Sequence, residues 1–170
     1  MNLKDLFRAV YEAPRDDARR LVLADALQTA GDPRGEFIAL QMRGSVIARR
    51  RSDKLLARHR ASFLLALHSV VVAIREERWE KGFLVECAVR FEGTTEGFPE
   101  LGTVQTLHIH EGPDPTELAS SLLTALKSAL IFGSDEFTER ARAHLATNAN
   151  KSVRVTHVDA DPRFRPGSRD

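Results

Sequence analysis

The chain has 170 residues, 42% of them apolar and 29% charged, with 25 Lys/Arg against 24 Asp/Glu. That length suits one compact domain or two small layers sharing a core, and the composition excludes a chain disordered throughout. A single cysteine, Cys87, excludes an internal disulfide framework and a multi-cysteine zinc site, and suits a reducing cytoplasm.

The opening MNLKDLFRAV carries Asp5 and lacks the layout of an export signal, and no apolar run approaches membrane-spanning length. A cytoplasmic protein without a membrane partner is therefore expected. Charge is unevenly divided: residues 1–82 hold 16 Lys/Arg against 11 Asp/Glu, and residues 83–170 hold 9 against 13. The front half is the side that would attract an acidic partner.

Asn2 is placed to cap a first helix whose Leu3, Leu6, Phe7, Val10 and Tyr11 repeat along one face. Ala13-Pro14 ends it, because a residue before proline avoids helical angles. Asp16 and Asp17 open a second helix, with Leu21, Ala24 and Leu27 as one stripe and Leu23, Ala26 and Ala30 beside it. Gly31-Asp32-Pro33-Arg34-Gly35 then reads as a tight corner. Gly31 supplies a left-handed ending, Asp32 caps the next helix, and Pro33 sits where its missing N–H costs nothing. The third helix carries Phe37, Ile38, Leu40 and Gln41 and bends or frays near Gly44. Asp25 and Arg34 flank the corner and are expected to pin it as a salt bridge or carboxylate cap; the functional alternative is a ligand-gripping pair.

Residues 48–60 are polar and basic, with Arg49, Arg50, Arg51, Lys54, Arg58 and Arg60 as the densest cationic run. A solvated helix face is expected. Phosphate binding is the alternative and makes nucleic acid the second partner class, although no aromatic residue interleaves the run. Ser62 is expected to cap an apolar helix over 63–74. The Val70-Val71-Val72 run also fits a strand, and the length of the segment favours helix.

After Trp79-Glu80-Lys81-Gly82 the period changes. Phe83, Val85, Cys87, Val89 and Phe91 alternate with Leu84, Glu86, Ala88 and Arg90, which predicts a strand with one buried face. A loop over 93–99 precedes Leu101-x-x-Val104-x-x-Leu107-x-Ile109, ending in a short strand. Asp114-Pro115-Thr116-Glu117 opens an expected helix lined by Leu118, Leu122, Leu126 and Leu130, with Leu123 and Ala129. Another helix is expected from Ser134 to about Thr147, then a strand over 152–158 with Val153 and Val155 inward, and a loosely held tail.

The stretch LVLADALQTAGDPRGEFIALQ, residues 21–41, resembles the bacterial repeat-companion domain, a small helical module placed before leucine-rich-repeat-like segments. Leu21, Val22, Ala24, Asp25, Leu27, residues 31–38, Leu40 and Gln41 stand at matching positions. Leu23 and Ala26 depart from the usual tyrosine and tryptophan, both towards smaller side chains. Pro14-Arg15-Asp16-Asp17 resembles the family's entry, and Trp79-Glu80-Lys81-Gly82-Phe83 its handover to strands. The second half is similar to leucine-rich repeats only through Leu101, Val104, Leu107 and Ile109. The resemblance implies a scaffold or recognition role with no attached activity.

These readings combine into an α/β (α+β) fold: an N-terminal helical module, 1–81, packed on a short repeat-like sheet, 82–160, with helices on one side, then a tail, 161–170. If the strands share one sheet, its outward positions are Glu86, Ala88 and Arg90, then Thr106, His108 and His110, then Arg154 and Thr156. That face is where a repeat-type protein meets a partner. His108 and His110 could chelate a metal only with a third ligand, and His157 has the wrong parity. Cys87 reads as a small core residue and Trp79 as packing at the helix–sheet junction. No phosphate-cradling glycine loop, HExxH or GxSxG is present, so no catalytic, cofactor or metal residue is assigned. The expectation is a non-enzymatic protein-binding or scaffold module. An immunity or antitoxin protein that blocks a toxin, and a nucleic-acid binder using 49–60, are the alternatives.

Overall fold

The computed structural model describes residues 2–90, 98–112, 123–147 and 153–158. Four helices come first: α1 Leu3–Glu12, α2 Asp17–Thr29, α3 Pro33–Arg43 and α4 Val46–Leu64. A 3-10 turn, Leu65–Ser69, leads into strand β1, Val71–Glu80, and its hairpin partner β2, Phe83–Val89. A second 3-10 turn, Pro99–Thr103, precedes β3 Thr106–His110, β4 Ser128–Phe132, α5 Asp135–Ala146 and β5 Arg154–Val158. The fold is α/β (α+β), with a helical head followed by a five-stranded mixed sheet.

The helix starts follow their caps. Asn2 Oδ1 accepts from the Asp5 amide at 2.9 Å, Asp16 Oδ1 from Ala18 at 3.0 Å, and Ser134 Oγ from Phe137 at 3.3 Å. At the corner Asp32 Oδ1 accepts from the Arg34 amide at 2.8 Å, with Pro33 in the first helical turn. Gly31 takes φ 74°, and the amides of Gly31 and Asp32 reach back to the carbonyls of Gln28 and Leu27. This closes α2 in a Schellman turn, satisfying two carbonyls the helix would otherwise leave open. The next glycine has a different task. A Cβ on Gly35 would lie 2.6 Å from Gln28 N and 2.7 Å from Ala24 O, so α2 and α3 cross with their backbones nearly touching.

The buried stripe of α2 is Arg20, Leu23, Ala24 and Leu27, while Leu21 is 46% exposed. With Leu6, Val10, Tyr11, Ile38 and Phe83 these apolar side chains form the core of the head. A second cluster fills the space between the sheet and α5, from Cys87, Leu107, Ile109, Ala129 and Ile131 to Phe137, Ala141 and Leu145.

The sheet runs in the order β1-β2-β3-β4-β5, with β1 antiparallel to β2 and every later pair parallel. Register places Glu86, Thr106, Ser128 and Arg154 in one cross-strand row, so successive units advance by 20, 22 and 26 residues. Cys87, Leu107, Ala129 and Val155 form the next row and point into the core.

Four expectations are corrected. No helix begins at Ser62. α4 runs through it to Leu64, because Phe63 and Leu64 complete its buried side with Ala48 and Ser52. The β-branched run that follows is taken up by β1, whose Val71 pairs with Val89. The leucine-lined helix does not extend to Leu130. Ala129 and Leu130 lie in β4, where Ala129 and Ile131 are buried and Leu130 and Phe132 are half-buried, a period of two. The start of that expected helix, 113–122, lies outside the described residues, as do 91–97 and the tail from 159. Finally, β2 is buried on both faces, Leu84 and Ala88 included, and it packs into both cores, Phe83 into that of the head and Leu84, Cys87 and Val89 into that of the sheet.

Gly35→Ala should lower the free energy of urea unfolding by about 3 kcal/mol, since the new methyl meets backbone on α2 rather than a side chain that can turn away. A loss below about 0.5 kcal/mol, the scale of an ordinary surface change, would contradict that crossing.

Candidate functional site

The face of the sheet opposite α5 collects the outward residues expected from the sequence, with one strand added. Three rows cross it. The first is Glu86, Thr106, Ser128 and Arg154; the second is Ala88, His108, Leu130 and Thr156; the third is His110, Phe132 and Val158. Arg90 lies just past β2, half-buried, its amide bonded to the Val70 carbonyl. β4 stands between β3 and β5 and brings Ser128, Leu130 and Phe132 into the face, and Arg78 of β1 joins at its edge. These four had been missed. The alternation of Ala129 and Ile131 with Ser128, Leu130 and Phe132 was the available signal, hidden by leucines at helical spacing.

Polar and apolar halves of the face are separated. In the polar half, His108 Nε2 lies 2.9 Å from Glu86 Oε1, so the ring carries its proton there, and Arg78 Nε donates to the other Glu86 oxygen at 3.0 Å. Thr106 and Ser128 share a hydroxyl bond at 3.1 Å. Partial burial would raise the Glu86 pKa, but His108 and Arg78 outweigh it and hold the carboxyl below its usual value. In the apolar half, the rings of His110 and Phe132 stack at 4.9 Å with 10° between planes, and His108 continues the stack at 6.1 Å from Phe132. His110 is thereby buried to 4% exposure. Arg154 and Thr156 are exposed, and Leu130, Phe132 and Val158 half-exposed. His110 and Ala88 therefore support the surface, whereas the others form it.

The pair expected at the corner is not formed. Asp25 is exposed on α2, while Arg34 is 4% exposed and turned inward, its Nη1 donating to the Phe63 carbonyl at 2.8 Å. Helical phase explains this: Ala24 faces the core, and Asp25 is rotated about 100° away. Arg34 is instead ringed by Phe7, Phe83 and Phe63, with its guanidinium carbon 5.0, 5.1 and 6.0 Å from their centroids.

The basic run does not make one face. Arg50, Arg51, Lys54 and Arg58 are exposed on the outer side of α4, and Arg51 reaches Glu36 at 2.6 Å. Arg60 makes a forked bond to Glu77, with Nε 2.9 and 3.0 Å from the two carboxylate oxygens. Arg49, also exposed, lines a cleft together with Trp79. Trp79 packs edge-on to Phe37 at 5.9 Å, at the junction where it was expected. Cys87 is fully buried, and desolvation pushes its thiol pKa up, away from reactivity. His157 lies in the row of Val89, Ile109 and Ile131, its Nε2 3.1 Å from the Gly133 carbonyl, on the side away from His108 and His110.

Among the described residues, no group of three His, Cys, Asp or Glu side chains could hold a metal ion, and no helix is long and apolar enough to cross a membrane. No family model, curated protein or solved structure matches the chain.

Because the Glu86 pKa is depressed in the folded state, its contribution to stability is complete above the ordinary carboxylate range and is lost as pH falls through the depressed value. The stability gap between wild type and Glu86→Gln should be widest near neutrality and close on acidification, read by urea unfolding across pH. A gap independent of pH would contradict the Glu86–His108–Arg78 arrangement.

Proposed function

We propose that this chain is a non-enzymatic protein-binding module whose partner docks on the strand face, with the charged outer side of α4 adding long-range attraction. One observation carries the reading: the half-exposed Leu130, Phe132 and Val158 lie on a rigid parallel sheet beside the polar Arg78–Glu86–His108 network. An apolar patch beside a polar network offers a partner both area to desolvate and directional contacts. The sheet is held in register by main-chain hydrogen bonds on both sides of β2, β3 and β4, so docking orders little backbone.

A repeat-companion head followed by a leucine-rich-repeat-like segment is the architecture we infer. The parallel strands in sequential order, at steps of 20, 22 and 26 residues, support it, since such repeats run to about 20–29 residues. Repeat stacks use their exposed strand face for recognition. A bacterial cytoplasmic setting follows from the same inference and suits a single buried thiol. Arg50, Lys54 and Arg58, spaced about 6 Å apart along α4, favour a partner with acidic surface.

A photo-crosslinking residue at Thr156 should trap a defined partner in cells of the source organism, and the same residue at Glu139 on α5 should not. Leu130→Glu should abolish the Thr156 product while leaving the fold intact. Equal products from both positions, or a Thr156 product that survives Leu130→Glu, would overturn the strand-face reading.

A further inference from the structure

We propose that a second docking site lies between the α3–α4 corner and the β1–β2 hairpin, shaped for an extended acidic segment of a protein partner in which a carboxylate neighbours apolar side chains. This goes beyond the strand-face reading and does not depend on it. The cleft has a volume of about 260 Å³, and its walls include Leu40, Gln41, Arg49, Trp79, Glu80 and Lys81.

Its charge balance selects the ligand. Glu80 pairs with Arg78, whose guanidinium also holds Glu86, and Lys81 Nζ pairs with Asp17 at 2.5 Å. Gln41 Oε1 accepts the Gly82 amide at 2.8 Å, and the Ser52 hydroxyl donates to the Arg49 carbonyl at 2.8 Å. Arg49 is exposed, lines the cleft, and forms no ion pair among the described residues. One positive charge is thus left for the occupant, and a guanidinium takes a carboxylate through paired N–H donors.

The remaining walls select an apolar neighbour for that carboxylate. Leu40 and the Trp79 ring are held in place, the latter against Phe37. A bare phosphate or nucleic-acid backbone gains nothing from these two apolar walls, whereas a peptide side chain covers them. Both sides of the cleft are fixed beforehand. The turn Lys81–Gly82, at φ 51° and 84°, is tied to α3 through Gln41 and to α2 through Asp17. A Cβ on Gly82 would fall 2.1 Å from Ile38 Cγ1, so the hairpin sits directly on α3.

Trp79 is the single tryptophan of the chain, so tryptophan emission reports from one position, in the wall of the cleft. The full chain is titrated with acetyl-Leu-Glu-Leu-Ala-amide, with the Gln version of that peptide, and with inorganic phosphate. The Glu peptide is expected to shift Trp79 emission saturably. The Gln peptide, and the Glu peptide on Arg49→Gln, should each bind at least about tenfold more weakly. Arg49→Gln alters an exposed side chain, and its circular dichroism and thermal midpoint should match wild type. No saturable shift, equal binding of both peptides, or full binding by Arg49→Gln would overturn the proposal. A saturable shift with phosphate alone would overturn it as well, making the cleft a simple anion site. Arg49→Gln should leave crosslinking from Thr156 unchanged, so failure of one site is readable apart from failure of the other.

Discussion

The guanidinium of Arg34 lies at the seam between head and sheet, where Phe7 of α1, Phe63 of α4 and Phe83 of β2 close around it. Taking that charge out of water costs on the order of several kcal/mol. The bond to the Phe63 carbonyl, the aromatic faces at about 2 kcal/mol each when desolvated, and the nearby Tyr11 and Glu100 offset the cost. With no ion pair to Arg34 within 4.0 Å among the described residues, the geometry is strict, because each ring must hold its place for the charge to be tolerated. Since the rings belong to three elements, one side chain fixes how α1, α4 and β2 meet. Arg34 can occupy this position only because the Gly31–Asp32–Pro33 corner starts α3 at that spot and Gly35 lets α3 lie against α2.

The position of β2 sets the rest. Its one edge is closed by β1, and β1 is itself held to the head by Trp79 on Phe37 and by Arg60 on Glu77. Strands therefore add on the other edge only, each parallel to the last and in register. If the repeat architecture proposed above holds, the head closes the end from which the strands add. α5 covers the inner rows through Phe137, Ala141 and Leu145 and leaves the opposite rows uncovered by it. Head, stack and exposed face are consequences of one packing arrangement.

Much of this was legible from local chemistry. The caps at Asn2, Asp16, Asp32 and Ser134 were readable because an N-cap is satisfied within three residues of itself. The outward parity of Glu86, Thr106, His108, Arg154 and Thr156 was readable because a strand alternates strictly. What was not legible depends on distant partners. Val71 becomes strand by pairing with Val89, and Ala129 by pairing with Leu107, and neither partner is visible in a window of neighbouring residues. Arg34 was placed near Asp25 because both flank the corner, but three phenylalanines from remote parts of the chain decide where a buried cation goes. The parity of the strand residues was therefore legible, and the membership of the sheet only in part.

Native-state hydrogen exchange on the wild-type protein tests the central claim, that the seam at Arg34 makes head and sheet a single cooperative body. Interior amides of α2 and α3 should open with the same free energy as those of β2, β3 and β4, equal to the global value from urea unfolding. If the helical amides instead opened at a clearly lower free energy while the strands stayed protected, head and sheet would be separate units and the account would fail.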